Sequence, residues 1–217
     1  MPVKVGLKYI EKWKESMEDE VLAYEREPVE KGQIVFYGPS NFTRWSKKWG
    51  NIPMRDVLLG GSGNPCVINR GFGSSCAEHQ LYYYPRLIRP LEPKVLVYSC
   101  IGNGEAFGYT DEEMWELAQR VIAYARTDFP DIRIYLCGPK GKRNISDEEV
   151  CRRKRFGSWI KQYAEETPNC FYIETLEDPR FWGKDLYIAD GTHFTAEGYR
   201  LYGELFREAL AEELAQF

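Results

Sequence analysis

Residues 34–41 read Ile-Val-Phe-Tyr-Gly-Pro-Ser-Asn, four apolar residues followed by a turn that carries a serine. A continuous apolar run of this length, bounded by turn residues, is typical of a strand buried on both faces. Four similar runs follow along the chain, at residues 66–69, 95–98, 132–137 and 170–173. Together the five runs predict a buried parallel sheet.

Helical patterns lie between and after these runs, near residues 76–89, 111–127, 147–166 and 195–214. Two of them begin with a capping box, Thr110 with Glu113 and Ser146 with Glu149. Strands that alternate with helices form right-handed βαβ units, which cover both faces of a parallel sheet. The pattern therefore predicts an α/β protein, a three-layer α/β/α sandwich with a five-stranded parallel sheet.

The N-terminal stretch 7–24 carries apolar residues three or four positions apart, the period of an amphipathic helix. These residues are Leu7, Ile10, Trp13, Met17, Val21 and Tyr24, with Pro28 and Gly32 closing the helix. We expect residues 1–30 to form a helical arm packed on a single domain of residues 31–217. A partner-binding arm is the alternative, and the same helix could serve a homodimer.

The composition is that of an ordinary globular protein, with 217 residues, 43% hydrophobic and 29% charged. The net charge of −4 offers no basic field for nucleic acid. No apolar run reaches the roughly 18 residues of a membrane span, and the N-terminus lacks the pattern of a signal peptide. The six cysteines include no Cys-x-x-Cys pair, which favours free thiols over a zinc site. We therefore expect a cytoplasmic protein without metal or organic cofactor.

Ligands of open parallel sheets bind beyond the carboxyl ends of the strands. The loops at those ends offer the Ser40 hydroxyl, the glycine-rich turn 71–75, the Asn103 amide and the segment Asp190-Gly191-Thr192-His193. A serine nucleophile needs a base, a carboxylate that orients the base, and donors that hold an oxyanion. This inventory favours acyl transfer to serine.

The chain has only two histidines, so the base is His193 or His79. Asp190 precedes His193 by three residues in a loop, which allows a local carboxylate–imidazole bond. His79 lies in a helical stretch, and a core or surface position is the expected reading for it. Cys76 with His79 would be a poorer nucleophile–base pair, because residues three apart on a helix supply no oxyanion hole.

Four blocks of the sequence resemble the SGNH hydrolase superfamily of GDSL-type esterases and lipases. They most resemble its bacterial acylhydrolase branch, akin to platelet-activating-factor acetylhydrolase subunits. The blocks occur in order and cover most of the chain, at residues 35–45, 69–75, 94–108 and 190–199. The resemblance implies a flavodoxin-like fold, Ser40 as nucleophile, and Asp190 and His193 as its partners. It also implies Asn103 and the backbone N–H groups of Ser40 and Ser74 as oxyanion donors.

Three positions depart from the family pattern. Pro39 replaces the usual aspartate before the nucleophile, but it leaves the N–H of Ser40 available. Ser74 stands where the family has its oxyanion glycine, so any left-handed backbone there would cost energy. Ile101 and Gly104 replace the usual neighbours of Asn103. These departures motivate a rival hypothesis, a non-catalytic relative that binds ligands.

Trp45 and Phe107 adjoin the proposed catalytic blocks and are candidates for the wall of an acyl or sugar pocket, with Gly73 as a third substrate-binding candidate. The basic residues near 140–155 follow Asp147-Glu148-Glu149, which favours a solvated helix with internal ion pairs over an anion site. Gly71-Phe72-Gly73 lacks the third glycine of a dinucleotide fingerprint, since Cys76 stands in its place.

We therefore expect a serine esterase that acts on small acyl esters, with acetyl esters as the leading substrates. A lysophospholipase or thioesterase that acts on longer acyl chains is the alternative within hydrolases.

Overall fold

The computed structural model describes residues 7–8, 14–100 and 102–217. Its centre is one five-stranded sheet in the order β2-β1-β3-β4-β5, with every neighbouring pair parallel. The strands are β1 (Ile34–Gly38), β2 (Val67–Gly71), β3 (Val95–Tyr98), β4 (Arg133–Cys137) and β5 (Cys170–Ile173). This confirms the predicted sheet, with strand boundaries shifted by at most two residues.

Helices cover both faces of the sheet. The longer ones are α1 (Lys14–Arg26), α4 (Ala77–Leu87), α5 (Asp111–Asp128), α6 (Asp147–Glu166) and α7 (Ala196–Ala209). Three short α-helices also lie within the described residues: α2 (Ser40–Thr43), α3 (Met54–Val57) and α8 (Ala211–Leu214). Thr110 and Ser146 accept the backbone N–H of Glu113 and Glu149, as their capping positions predicted.

The C-terminal helical pattern divides into two helices. Thr195 caps α7, because its hydroxyl accepts the N–H of Gly198 at 3.3 Å. The backbone of Leu210 leaves helical geometry before α8 begins. Leu210 is nevertheless fully buried, so both pieces pack on the same core.

The side chains of β1 alternate between two apolar cores, one on each face of the sheet. Val35 and Tyr37 join the core formed with α1, α4, α5 and α6. Ile34 and Phe36 join the core formed with α2, α3, α7 and α8. All four are fully buried, which explains why the strand reads as an uninterrupted apolar run.

The described part of the N-terminal stretch packs on the body. Met17 and Val21 of α1 are buried, and the Tyr24 hydroxyl donates to the carbonyl of Gly71 at 2.5 Å. Ile10 and Trp13, which the helical pattern included, lie outside the described residues. Since the chain itself covers Met17 and Val21, these two residues offer no free apolar face to a second copy.

Candidate active site

Ser40 lies at the carboxyl end of β1, where the chain turns directly into α2. Pro39 is the N-cap of this helix, and Ser40 is its first residue. The turn is tight because Gly38 and Gly71 have no Cβ: one on Gly71 would lie 2.5 Å from the Cβ of Phe42. Glycine at the ends of the two paired strands therefore lets α2 begin at the sheet edge and present Ser40 there.

Ser40, His193 and Asp190 form a hydrogen-bonded chain. The Ser40 Oγ lies 2.8 Å from His193 Nε2, and His193 Nδ1 lies 2.7 Å from Asp190 Oδ2. An ionised carboxylate only accepts hydrogen bonds, so Nδ1 carries the proton and Nε2 accepts the bond from the hydroxyl. This arrangement orients the imidazole as a base toward a serine 153 residues away in sequence.

The loop that carries Asp190 and His193 is held by backbone bonds. Asp190 Oδ1 accepts the N–H groups of Thr192 and His193, each at 2.9 Å. The N–H of Ile188 donates to the His193 carbonyl at 2.9 Å. Gly191, at φ +71°, provides the left-handed turn between them. The spacing of three residues thus supports a closed turn that aims the imidazole at Ser40.

The surroundings lower the pKa of both ionisable groups in this hydrogen-bonded series, Asp190 and His193. Burial alone would raise the pKa of Asp190. The backbone N–H groups of His193 and Thr192 and the His193 ring outweigh it, and they hold that pKa well below its usual range. The pKa of His193 is also lowered, chiefly by burial and further by the nearby cations Arg44 and Lys140, against the effect of Asp190. The imidazole is therefore neutral at neutral pH, as a base must be.

Three N–H donors lie on the loops around Ser40. Within the described residues, the backbone N–H groups of Ser40 and Ser74 donate no hydrogen bond. The Asn103 amide donates to the carbonyl of Ser75 at 3.0 Å, which leaves its second N–H to point elsewhere. Ser74 adopts φ +59° and Asn103 φ +38°. Position 74 thus has the left-handed backbone that glycine adopts without strain.

The three predicted substrate-binding residues have different surroundings. Trp45 is 1% exposed and packs against Phe36, Tyr199, Tyr202 and Phe206, which fits a core role better than contact with substrate.

Phe107 is half-buried and meets the His79 ring edge to face, with ring centroids 5.5 Å apart. The Gly73 N–H donates to Glu20 Oε2 at 2.8 Å and is therefore engaged within the chain. Gly73 and Phe107 as substrate contacts remain predictions.

The second histidine lies in the core. His79 is 3% exposed, and its Nδ1 lies 3.3 Å from the Cys76 sulfur. Burial raises the pKa of the Cys76 thiol to about 11, so the thiol is protonated at neutral pH. This pair is a buried helix cap rather than an activated nucleophile.

Most of the basic residues that follow β4 form ion pairs with nearby carboxylates. Lys142 and Arg153 both pair with Glu149, and Arg152 pairs with Asp111. Lys154 pairs with Glu177. Only the Arg153–Glu149 pair lies within α6, as the sequence predicted, and the other three join this helix to neighbouring segments.

Three contacts near the site were not foreseen from the sequence. Arg44 Nη1 donates to Asp190 Oδ2 at 3.1 Å. Glu20 of α1 holds the second block through Gly73. Lys140 is 7% exposed and donates to the carbonyl of Thr192. Arg44 stands beside Trp45 in the first block, which was the one available signal for it.

Among the described residues, no group of three or more His, Cys, Asp or Glu side chains could hold a metal ion. No helix in the described ranges is long and apolar enough to cross a membrane.

The chain matches the model of the GDSL-like lipase/acylhydrolase family over residues 38–201, a range that contains Ser40, Asn103, Asp190 and His193. A comparison with curated protein sequences gives no match.

Solved structures share the fold at low sequence identity. A proposed acylhydrolase from Bacteroides fragilis is 17% identical, with a TM-score of 0.70 over 97% of this chain and 100% of its own. A GDSL-like lipase from Bacteroides thetaiotaomicron is also 17% identical, with a TM-score of 0.69 over 92% and 97%. An acetylxylan esterase from Geobacillus stearothermophilus is 14% identical, with a TM-score of 0.66 over 87% and 99%.

Proposed function

The chain belongs to the GDSL-like lipase/acylhydrolase family of the SGNH superfamily and is a carboxylic ester hydrolase, and from that premise we propose that it cleaves small acyl esters, acetyl esters foremost, through Ser40, His193 and Asp190. The observation that carries the proposal is the continuous hydrogen-bonded chain from the Ser40 hydroxyl through the imidazole to the Asp190 carboxylate.

Acylation begins when Ser40 Oγ attacks the ester carbonyl and its proton passes to His193 Nε2. Asp190 stays ionised, because its pKa is held low, and it stabilises the imidazolium through Nδ1–H. The tetrahedral intermediate collapses as Nε2–H gives the proton to the departing alkoxide. The products of this half-reaction are the free alcohol and an acyl ester on Ser40.

Deacylation repeats these steps with water in place of serine. His193 Nε2 takes a proton from water as the hydroxide attacks the acyl carbonyl, and it returns a proton to Ser40 Oγ as the acid leaves. The two half-reactions together consume one water and regenerate the neutral imidazole.

The N–H groups of Ser40 and Ser74 and the Asn103 amide are the proposed oxyanion donors. Ser40 N–H stands at the start of α2, where helix N–H groups have no partner within the helix. The carbonyl of Ser75 restrains the Asn103 amide, which lowers the cost of ordering it during reaction. Removing one such donor in other enzymes slows turnover by about 100- to 1000-fold.

A carbohydrate is the alcohol half that we propose for the natural ester, because acetylxylan esterases share this fold. Lysophospholipase or thioesterase activity on longer chains is the alternative, and a series of p-nitrophenyl esters from acetate to octanoate separates the two. An enzyme with an acetyl-sized pocket should not hydrolyse esters whose acyl groups have about eight carbons or more.

The decisive experiment compares p-nitrophenyl acetate hydrolysis by wild type, Ser40→Ala and Ser158→Ala. Ser158 is an exposed serine of α6 whose hydroxyl bonds only its own helix, so it is the matched control. We expect Ser40→Ala to lose several orders of magnitude in kcat, as about 10⁶-fold losses in triad variants illustrate, and Ser158→Ala to match wild type. Equal rates for all three proteins on acetate and longer esters would instead support the non-catalytic relative.

A further inference from the structure

Lys140 follows β4 and lies against the segment that carries Asp190 and His193. Its side chain is buried, and its ammonium donates to the carbonyl of Thr192, with a weaker bond to Gly141 O at 3.4 Å. The ammonium also lies 5.3 Å from the centre of the Tyr187 ring and 4.9 Å from that of Phe194. In the described part of the chain its partners are carbonyls and rings, not a carboxylate.

These contacts hold residues 187–194, here called the catalytic loop, at three points. Tyr187 and Phe194 pair as an isolated antiparallel bridge at the two ends of the loop, with their rings 5.3 Å apart. Thr192 lies inside the loop, directly before His193. A single ammonium thus touches both ends of the loop and the peptide group that joins Thr192 to His193.

We propose that Lys140 is a positioning residue for the proposed esterase reaction, one that clamps the Thr192 carbonyl and so holds His193 between Asp190 and Ser40. The inference rests on the proposed function for its chemistry. It assigns this residue a role beyond the triad and the oxyanion donors.

Burying the Lys140 ammonium costs free energy that its contacts must offset. Burial away from water, without a carboxylate partner, destabilises the charged form of a lysine. Burial accordingly lowers the pKa of Lys140 to about 7, with Arg153 lowering it further and Asp190 opposing. An apolar side chain between Tyr187 and Phe194 would avoid this cost. A charge-bearing donor at this position is therefore explained by the carbonyl that it holds.

The anchoring of Lys140 from the other side is consistent with a clamp. Arg153 of α6 donates to the carbonyl of Lys140 and pairs with Glu149. The N–H of Arg143 donates to the Gly191 carbonyl at 2.7 Å. The loop after β4 is thus fixed to α6 on one side and grips the catalytic loop on the other.

The test compares Lys140→Met with Lys142→Met. Methionine keeps the length and apolar stem of lysine but removes the donor and the charge. Lys142 is the matched control, since it lies in the same loop and pairs with Glu149 rather than with the catalytic loop. Three quantities are measured for each protein: kcat and KM on p-nitrophenyl acetate, the melting temperature, and the imidazole titration of His193 by NMR.

We expect Lys140→Met to lower kcat by about ten- to hundredfold, as small displacements of catalytic groups do, with KM nearly unchanged. The His193 titration should move to higher pH, because the charges facing the imidazole are Asp190, Arg44 and Lys140, and one cation is lost. His79 is the only other histidine and serves as the internal reference. Lys142→Met should leave all three quantities close to wild type.

A different result would overturn the proposal. If Lys140→Met lowers the melting temperature and kcat together while His193 titrates as in wild type, Lys140 only supports the fold. If kcat and the titration are both unchanged, Lys140 has no positioning role. Lys140→Leu, which also removes the donor and the charge, carries the same comparison should the methionine variant fail to fold. Because the NMR titration needs no turnover, it tests whether the Lys140 charge faces His193 even if the wild-type protein hydrolyses no ester.

Discussion

Arg44 brings a positive charge to the carboxylate that orients the proposed base. Its guanidinium lies 3.1 Å from Asp190 and stacks over the Trp49 ring at 4.3 Å. It therefore competes with His193 for the same carboxylate oxygen, Oδ2. The Arg44 cation, like burial, lowers the pKa of His193 and so favours the neutral imidazole.

The sign of the pH dependence follows from this environment. The proposed reaction needs neutral His193, so kcat/KM should fall as the pH drops through a His193 pKa that lies below the ordinary value for histidine. Arg44→Gln removes one of the cations that lower this pKa. We expect its fall to begin at higher pH than in wild type, in p-nitrophenyl acetate assays from about pH 4 to pH 8.

Arg44→Lys is the control for the charge, because it keeps a cation at the same position. Its acid limb should stay closer to that of wild type. An Arg44→Gln profile that moves to lower pH would contradict the assignment of His193 as the base.

Helix α1 supports the second block of the site from outside. The Glu20 carboxylate accepts the Gly73 N–H, and the Tyr24 hydroxyl donates to Gly71. Ser74, a proposed oxyanion donor, is the next residue after Gly73 and is held at φ +59°. A helix near the N-terminus thus helps to set the backbone of a loop that the proposed reaction uses.

Glu20→Ala should therefore weaken catalysis without removing any triad group. Loss of the carboxylate leaves the Gly73 N–H to water, and the loop loses one of its restraints. We expect kcat on p-nitrophenyl acetate to fall by a factor of about three to ten, the effect of roughly one hydrogen bond. Asp19→Ala, one residue away on the exposed side of α1, is the matched control and should not change kcat. Equal rates for the two variants would show that α1 does not act on the site.

The elements were predictable where their signals are local. Apolar runs identified the five strands because each strand supplies buried residues to both cores, and Thr110 and Ser146 identified two helix starts through their caps. The contact between Asp190 and His193 was predictable because the two residues lie three positions apart in one loop. The core position of Trp45 was not predictable, since its neighbours Tyr199, Tyr202 and Phe206 come from α7, far along the chain.

The same reason explains why Lys140 and Glu20 were missed. In the sequence, Lys140 belongs to a run of basic residues, and nothing local distinguishes it from its solvated neighbours. Its burial depends on the meeting of the loop after β4 with the loop before α7. Glu20 likewise acts on Gly73, 53 residues away.

The candidate site is assembled from two parts of the fold that lie far apart in the sequence. Ser40 belongs to the turn after β1 and His193 to the loop before α7, and the elements that carry them pack on the two apolar cores. The six cysteines are spread over the same two cores, with Cys151 as the exposed exception on α6. Thiol accessibility is therefore a measure of global packing.

We expect native protein to react with about one equivalent of Ellman's reagent, and unfolded protein with all six thiols. Cys66, Cys76, Cys100, Cys137 and Cys170 are each at most 7% exposed. Burial also raises the pKa of their thiols, to about 11 for Cys76 and about 12 for Cys100, which removes the reactive thiolate at neutral pH. Cys151→Ser should abolish the native reaction and leave five thiols after unfolding. Two or more fast-reacting thiols in the native protein would show that one of the two cores opens without global unfolding.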